Sequence, residues 1–166
     1  EMIDAWCGSD MMRTAYIPIS WEEAKNKVNT WKSQGETVVF TNGCFDILHK
    51  GHITYLQQAA ALGEHLIIGL NADESVKKLK GEGRPVNSES DRAFMLKSLR
   101  FVDEVVIFNE ETPLELLKCL EPDILVKGGD YSVEDVIGKE YAGEVRILPF
   151  VKGYSTTQII NKILEK

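Results

Sequence analysis

The chain has 166 residues, 43% of them hydrophobic, which suits one domain with a full core and is short for two. A formal net charge of −7 disfavours nucleic acid and anionic membranes as partners, although local amides and a few cations can still bind a small anion. Three widely spaced cysteines suit a reducing cytoplasm better than a disulfide framework. No apolar run approaches the roughly 20 residues of a membrane-spanning helix. We therefore expect a cytoplasmic protein whose partners are small molecules.

The N-terminal stretch EMIDAWCGSDMMRT has neither an initiator Met nor the basic start and apolar stretch of a signal peptide. We expect residues 1–14 to be an N-terminal extension, either a cloning remnant or disordered. The rest of the chain shows no internal repeat, low-complexity tract or linker. Residues 15–166 are therefore expected to form a single domain.

Apolar runs alternate with helical patterns along the chain. An amphipathic helix comes first, and each later strand is followed by a helical segment or a turn. The predicted helices are Trp21–Ser33, Gly51–Gly63, Ser88–Leu99, Thr112–Leu120 and Ser155–Lys166, and the predicted strands are Val38–Phe40, His65–Leu70, Glu104–Phe108, Asp123–Val126 and Glu144–Phe150. Continuous apolar strands separated by helices predict a parallel sheet covered on both faces. We expect an α/β protein with a three-layer, Rossmann-like, doubly wound fold and a mainly parallel five-stranded sheet, which binds ligands at the carboxyl ends of its strands.

The stretch TNGCFDILHKGH, residues 41–52, leads from the first strand of this sheet into the next helix. His49 and His52 are three residues apart and therefore share one helical face, and Gly51 between them lets a ligand approach the backbone. A helix N-terminus also presents free N–H groups and partial positive charge. The amides that would open at the crevice are those of Gly43, Cys44 and Phe45. Together these groups suit a phosphate whose charge grows in a transition state.

Two other interpretations of this stretch have to be weighed. The histidines could be ordinary surface residues of a first turn, or they could ligate zinc together with Cys44. The zinc interpretation supplies three ligands and no obvious fourth. The pattern also matches neither the dinucleotide-binding fingerprint nor the phosphate loop. Its position, a Gly-flanked turn after the first strand, favours a ligand site.

The segment KKLKGEGR, residues 77–84, predicts either a solvated basic loop or a mobile phosphate-binding one. Its glycines would let Lys80 close on anionic substrates, acting by position and charge. Arg92 is predicted in the first turn of a helix, where a cation gains nothing from the helix dipole. Its placement therefore indicates a ligand role, whereas Asp91 beside it is explained by capping.

Two later segments add polar groups at strand and helix ends. Lys127 and Asp130 flank a Gly-Gly turn after a strand, where polar side chains can converge on the crevice. Near the C-terminus, Ser155 fits a helix N-cap with Gln158 three residues on. The hydroxyls and free amides of this helix start also suit a terminal phosphate; the residues are Ser155, Thr156 and Thr157.

The motif His49-x-Gly51-His52, in its Asn42–Asp46 context, resembles the signature of the HxGH nucleotidyltransferase superfamily, which includes the cytidylyltransferase-like enzymes. The resemblance implies transfer of a nucleoside monophosphate from a triphosphate to a phosphate-bearing acceptor. It implies catalytic roles for His49, His52 and Lys80, with Mg²⁺ carried by the phosphates and no metal ligand in the protein. The nucleotide-binding residues it implies are Thr41, Asn42, Gly43, Cys44, Phe45, Gly51, Arg92, Lys127, Gly129, Asp130, Ser155, Thr156 and Thr157, and the acceptor-binding residues are Asp46, Lys80 and Arg84.

Within that superfamily the segments LKGEGRP, LVKGGDY and Ser155–Thr157 look like the adenylyltransferase branch of ADP-heptose synthases. This implies ATP and D-glycero-β-D-manno-heptose 1-phosphate as substrates, for lipopolysaccharide core synthesis, and a homodimer or higher homo-oligomer. In many bacteria such a domain follows a sugar kinase, so the chain would be the stand-alone type or a fragment. The nearest rival, glycerol-3-phosphate cytidylyltransferase, carries an arginine where this chain has Phe150. A regulatory nucleotide-binding module without catalysis is the non-enzyme alternative.

Overall fold

The computed structural model describes residues 16–165, and its centre is a five-stranded sheet. The strands are β1 (Val38–Gly43), β2 (His65–Asn71), β3 (Glu104–Phe108), β4 (Ile124–Gly128) and β5 (Glu144–Leu148). Their order is β3-β2-β1-β4-β5, and each neighbouring pair is parallel. This confirms the predicted α/β, doubly wound fold. The extension expected at residues 1–14 lies outside the described residues.

Helices cover both faces of the sheet. They are α1 (Trp21–Ser33), α2 (Lys50–Ala60), α3 (Asp73–Lys80), α4 (Glu89–Lys97), α5 (Leu114–Leu120) and α6 (Thr156–Leu164). Helices α2 and α4 pack on one face through Leu56 and Leu96, and α1 and α5 pack on the other through Val28 and Leu117. The three predicted layers are present because the strands are apolar on both sides. No helix among residues 16–165 is both long enough and apolar enough to cross a membrane.

Side-chain caps begin three of these helices where the sequence predicted them. The hydroxyls of Ser20, Ser88 and Ser155 accept hydrogen bonds from backbone amides three residues later. Two other segments begin differently. Helix α5 begins after Pro113 with no side-chain cap, and Ser132 begins only the 3-10 turn Val133–Asp135. A second 3-10 turn covers Lys139–Tyr141.

Helix α3 was not predicted. The sequence indicated a loop at residues 77–84, but Asp73–Lys80 is helical and Lys80 is its last residue. Acidic residues in its first turn and lysines in its last turn interact favourably with the helix dipole and so stabilise the helix. Of its residues only Ser75 and Val76 are buried, so the apolar stripe that would have revealed it is almost missing. The turn that follows contains Gly81 at φ 94° and Gly83 at φ 86°, a backbone region that favours glycine.

The crevice of the sheet opens between β1 and β4. Strand β1 pairs with β2 as far as Gly43, but its pairing with β4 stops at Phe40 and Leu125. Chain connections leave in opposite directions from these two central strands, which is where such sheets bind ligands. Beyond the last backbone pair, the Thr41 hydroxyl donates to the Val126 carbonyl at 3.0 Å. The strands thus stay joined at the floor while their ends separate.

Candidate active site

A cavity of about 760 Å³ fills this crevice, within the usual size range of small-molecule sites. Its walls are the ends of β1 and β4, the start of α2, the end of α3 and the start of α6. Fourteen residues predicted to bind or react line it: Asn42, Gly43, Cys44, Phe45, Asp46, His49, Gly51, His52, Lys80, Arg84, Lys127, Ser155, Thr156 and Thr157. The remaining four predicted residues lie outside its lining: Thr41, Arg92, Gly129 and Asp130.

His49 and His52 cap the start of α2 reciprocally. Nδ1 of His49 accepts from the backbone N–H of His52 at 3.3 Å, and Nδ1 of His52 accepts from the N–H of His49 at 3.3 Å. The two rings stack with centroids 3.8 Å apart and planes 20° apart. Because both Nδ1 atoms act as acceptors, each neutral ring carries its proton on Nε2. The pair therefore keeps two Nε2–H donors for a ligand.

Both imidazoles favour the neutral form. Burial and the charge of His49 lower the pKa of His52 to about 4, and burial lowers the pKa of His49 below its usual value. Phe45 contributes to this apolar environment, with its ring edge-on to His52 at a centroid distance of 5.4 Å. Near pH 7 the site thus presents uncharged donors at a helix N-terminus, where the backbone supplies the positive potential.

Arg92 supports the site from behind. Its side chain is fully buried, and Nη1 donates to the carbonyls of Cys44 and Asn71 at 2.8 Å each. Nε donates to the Asn87 carbonyl at 2.9 Å, and Nη2 pairs with Asp73 Oδ1 at 2.8 Å. The sequence predicted a nucleotide contact for Arg92, but these acceptors hold its guanidinium away from the cavity. The residue fixes the loop that follows β1.

Asp46 holds the segment between α3 and α4 against the same loop. Its carboxylate is 1% exposed, pairs with Arg84 Nε at 2.8 Å and accepts from the amides of Val86 and Asn87. Burial works to raise the pKa of Asp46, but these hydrogen bonds outweigh it and hold the pKa below its usual range. Asp46 was predicted to contact the acceptor substrate. Such a contact would compete with the existing partners of its carboxylate, which are Arg84 and the amides of Val86 and Asn87. Arg84 remains at the cavity wall.

Three other predicted nucleotide-binding residues lie under or beside the cavity. Thr41 is fully buried and its hydroxyl is 2.7 Å from the Tyr55 hydroxyl, whose pKa burial raises to about 12. Gly129 is buried, and a Cβ there would lie 2.7 Å from the Phe150 ring. Asp130 is exposed and points to no cavity-lining partner among the described residues. In this structure Thr41 and Gly129 therefore shape the cavity rather than border it.

The start of α6 faces the histidines. Ser155 accepts from the Gln158 amide at 3.0 Å, and the Thr156 hydroxyl donates to the Ile47 carbonyl at 3.3 Å. Thr157 is exposed and lines the cavity. The hydroxyls of Ser155 and Thr156 thus hold the start of α6 in place, while Thr157 is exposed at the cavity.

Several lining residues were missed by the sequence analysis. The Tyr154 ring stacks on His49 with centroids 6.1 Å apart, and Phe150 lies against Gly128 and Gly129 with 72% of its surface exposed. Phe150 lies two residues beyond the end of β5 but was predicted as the last residue of that strand, so no sequence signal marked it as a cavity residue. Tyr154 directly precedes a predicted cap, but its ring position depends on the tertiary fold.

Cys44 and metal chemistry can be assessed from the same geometry. Burial raises the pKa of the Cys44 thiol despite the nearby Lys80 and Arg92, which disfavours a thiolate nucleophile. Among residues 16–165, no group of three or more His, Cys, Asp and Glu side chains is arranged to hold a metal ion. The alternative zinc set of Cys44, His49 and His52 is therefore not formed in the described chain.

These features define a doubly wound α/β protein with a cavity at the crevice between its central strands, lined by the two imidazoles. Sequence comparison agrees with this class, because a profile described as Cytidylyltransferase-like matches residues 40–162. The chain belongs to the Cytidylyltransferase-like family. Membership makes it an enzyme of the nucleotidyltransferase type with a nucleotide substrate.

Curated relatives carry the name bifunctional protein HldE. The chain is 64% identical over 129 residues to that of Campylobacter fetus, which covers 78% of this chain and 28% of the relative. It is 52% identical over 145 residues to that of Wolinella succinogenes, covering 87% and 31%. For Helicobacter pylori strain G27 the values are 58% over 136 residues, 82% and 29%. The chain thus spans about three tenths of the length of the curated relatives it matches.

A solved structure shares the fold. It is the crystal structure of the lipopolysaccharide core biosynthesis protein from Thermoplasma volcanium, with a TM-score of 0.60 and 28% sequence identity. The match covers 73% of this chain and all of the other. The similarity thus extends over about three quarters of the chain.

Proposed function

We propose that the chain transfers AMP from ATP to D-glycero-β-D-manno-heptose 1-phosphate, giving ADP-heptose and pyrophosphate. The observation that carries this proposal is the pair of neutral Nε2–H donors of His49 and His52 at the start of α2, facing Lys80 and Arg84 in one cavity. Hydrogen-bond donors on one side of the cavity and cations on the other can hold the phosphates of ATP and the phosphate of the acceptor close together. The similarity to bifunctional HldE proteins and to a lipopolysaccharide core biosynthesis protein supports the heptose acceptor.

The proposed reaction is an in-line displacement at the α-phosphorus of ATP. A phosphate oxygen of the acceptor forms the new P–O bond, the bond to the β-phosphate oxygen breaks, and its electron pair leaves with pyrophosphate. The nucleophile is already anionic, so no general base is required. The protein has to hold two repelling anions together and stabilise the charge on the α-phosphate oxygens.

The proposal assigns a role in phosphate binding to five residues that line the cavity. The Nε2–H groups of His49 and His52 donate to the α- and β-phosphate oxygens, and neutral rings can do so without a proton transfer. Lys80 and Arg84 attract the acceptor phosphate, while Thr157 and the free amides of α6 hold the terminal phosphate. ATP would bind as its Mg²⁺ complex, and the ion would supply positive charge to the phosphates, with no protein ligand assigned to it.

We propose that the base of the nucleotide binds at Phe150. Phe150 lies against two glycines, because a Cβ at Gly128 or Gly129 would lie 3.1 or 2.7 Å from its ring. The ring is 72% exposed at the cavity, so an aromatic base can stack on it. In the rival glycerol-3-phosphate cytidylyltransferases an arginine occupies this position. We therefore propose adenine rather than cytosine as the base.

The test is a pyrophosphate-release assay that crosses ATP and CTP with heptose 1-phosphate and glycerol 3-phosphate. We expect rapid release only from ATP with heptose 1-phosphate. Release from CTP with glycerol 3-phosphate would replace the proposal with its rival, and no release from any pair would indicate a binding module. The double variant His49→Ala/His52→Ala, prepared in parallel, measures contaminating activity. We further propose that residues 15–166 suffice as one nucleotidyltransferase domain; the homo-oligomer stays a prediction, testable by sedimentation.

A further inference from the structure

Tyr154 lies at the first turn of α2 although it belongs to the segment before α6. Its ring is nearly parallel to that of His49, with planes 22° apart and centroids 6.1 Å apart. His49 therefore has two stacked aromatic neighbours, since the His52 ring lies at 3.8 Å. Stacking in an offset arrangement restricts how far the His49 ring can rotate.

Gly51 makes this approach possible. A Cβ at position 51 would lie 2.8 Å from the Cβ of Tyr154 and 2.9 Å from Cε1 and Nδ1 of His49. Real side chains do not approach so closely, so Tyr154 and His49 use the space that the missing side chain leaves. The hydrogen bond from Thr156 to the Ile47 carbonyl fixes the start of α6 beside them. Tyr154 thus packs against the start of α2, while 42% of its surface stays exposed.

We propose that Tyr154 is a positioning residue that keeps the His49 ring oriented with its Nε2–H towards the phosphate and shields that ring from water. The proposal rests on the proposed nucleotidyltransferase function, in which His49 is a donor. Tyr154 itself makes no bond to the reacting atoms. Its contribution comes from the aromatic face and not from its hydroxyl.

The charged groups around His49 and its burial decide whether its pKa rises or falls when Tyr154 is replaced. His52 lies on the same helix, Lys162 of α6 lines a small second cavity together with His49 and Tyr154, and Lys80 faces it across the main cavity. The acidic residues that line the main cavity are Asp46, Glu111 and Asp135, and Asp46 is paired with Arg84. Burial lowers the pKa of His49. A smaller side chain at position 154 would let water reach His49. Because burial is what lowers the pKa of His49, that pKa should then rise towards its usual value near 6.5.

The direct test is a nitrogen-15 NMR titration of the imidazoles in the full chain without ligand. The chain has three histidines, so single His→Gln variants assign every signal. In the unchanged protein we expect His49 as the Nε2–H tautomer with a pKa below 6.5. Tyr154→Ala should raise that pKa and mix the two tautomers, while Tyr154→Phe should leave both unchanged. An unaltered His49 in Tyr154→Ala would overturn the proposal.

Two further variants control for folding. Phe94→Ala removes another exposed aromatic ring, 54% exposed on α4 and away from the cavity, and should leave the His49 signals unchanged. Tyr154→Leu keeps apolar bulk without an aromatic face, so it should shift His49 in the same direction as Tyr154→Ala by a smaller amount. It serves as the test variant if Tyr154→Ala loses its fold, and an unchanged His49 there would equally refute the proposal.

Kinetics separate positioning from direct binding. Tyr154→Ala should lower kcat about tenfold with little change in KM for ATP, because a misdirected donor weakens the transition state more than the ground state. Tyr154→Phe should keep nearly full kcat. A rise in KM alone would make Tyr154 a substrate contact and refute the positioning role. If the unchanged protein shows the expected NMR behaviour but no turnover, the proposed function fails while the effect of Tyr154 on His49 stands.

Discussion

Histidines lie at both ends of the sheet, and their neighbours are opposite in kind. His65 begins β2, and its Nδ1 and Nε2 lie 3.1 Å from carboxylate oxygens of Asp103 and Glu36. Its ring also stacks on Trp31 with centroids 4.0 Å apart. At the carboxyl ends of the strands, His49 and His52 stack on each other and, among residues 16–165, neither forms an ion pair with a carboxylate.

The comparison shows that partners, and not residue type, decide what a histidine can do. Both ring nitrogens of His65 lie 3.1 Å from carboxylate oxygens of the protein itself, but only Nδ1 is hydrogen-bonded, so acidic groups of the fold surround the ring. In His49 and His52 only Nδ1 is engaged, and Nε2 remains for a ligand. The difference follows from topology, because the crevice of a parallel sheet opens at the carboxyl ends of its strands.

The largest expected effect comes from removing the imidazole ring of each histidine in turn. His49→Ala or His52→Ala should lower kcat about 10²–10³-fold with little change in KM for ATP, because a donor specific to the transition state is lost. His65→Gln should keep kcat within about twofold of the unchanged protein and lower the thermal midpoint instead. Steady-state kinetics and thermal unfolding of the three variants measure both effects. Near-normal kcat in either alanine variant would remove that ring from the mechanism.

A smaller effect is expected on the cationic wall opposite the histidines. Lys80→Ala should reduce kcat/KM about ten- to hundredfold, the range for losing one hydrogen bond to a charged group. Lys78→Ala is the matched control, because Lys78 lies two residues away on α3, is exposed and does not line the cavity. Equal losses in both variants, measured at constant ionic strength, would indicate general attraction of anions and not a specific contact.

The base end of the cavity should show an effect confined to binding. Phe150→Ala should raise KM for ATP about tenfold without lowering kcat, since one base–aromatic stack contributes about 1–3 kcal/mol. Phe94→Ala provides a control for losing an exposed aromatic ring. Phe150→Arg should in addition lower the preference for ATP over CTP. An unchanged KM for ATP in Phe150→Ala would refute the stacking interaction.

The smallest expected effect is on stability at acid pH. His52 has a pKa of about 4 in the folded protein and near 6.5 when unfolded, so the unfolded chain binds the proton first as pH falls. The free energy of unfolding should therefore fall between pH 6.5 and pH 4, by roughly 1 kcal/mol from pH 7 to pH 5 after allowance for solvent screening. Urea unfolding of His52→Gln should show a weaker pH dependence. An identical slope in both proteins would contradict the lowered pKa.

The sheet could be predicted from the sequence because its strands are nearly continuous apolar runs. Strand β3 has the predicted bounds Glu104–Phe108, and β2 differs by one residue. The position of the crevice followed from the fold class alone, and the pairing between β1 and β4 does end there, at Phe40. Helix α3 was not predicted because only two of its residues are buried, so its apolar residues show almost no helical periodicity.

The site was harder to predict where tertiary partners decide. Arg92 was predicted to contact a ligand because the dipole of its own helix does not favour a cation there. Instead, its guanidinium donates hydrogen bonds to the carbonyls of Cys44 and Asn71, which are distant in sequence. Asp46 likewise meets amides from a segment about 40 residues away. Local patterns contain no information on such partners. Residues whose environment is the turn itself, such as His49 and Ser155, were placed more easily because their partners lie three residues away.

The contact between Asp46 and the segment from Arg84 to Asn87 has a consequence for protein engineering. A chimaera that exchanges residues 80–87 for those of a relative with another acceptor keeps Asp46 in the unexchanged part of the chain. The incoming segment adopts its working position only if it brings a cation at position 84 and unobstructed amides at positions 86 and 87. Donor segments for such an exchange should therefore be chosen first by how they engage this carboxylate.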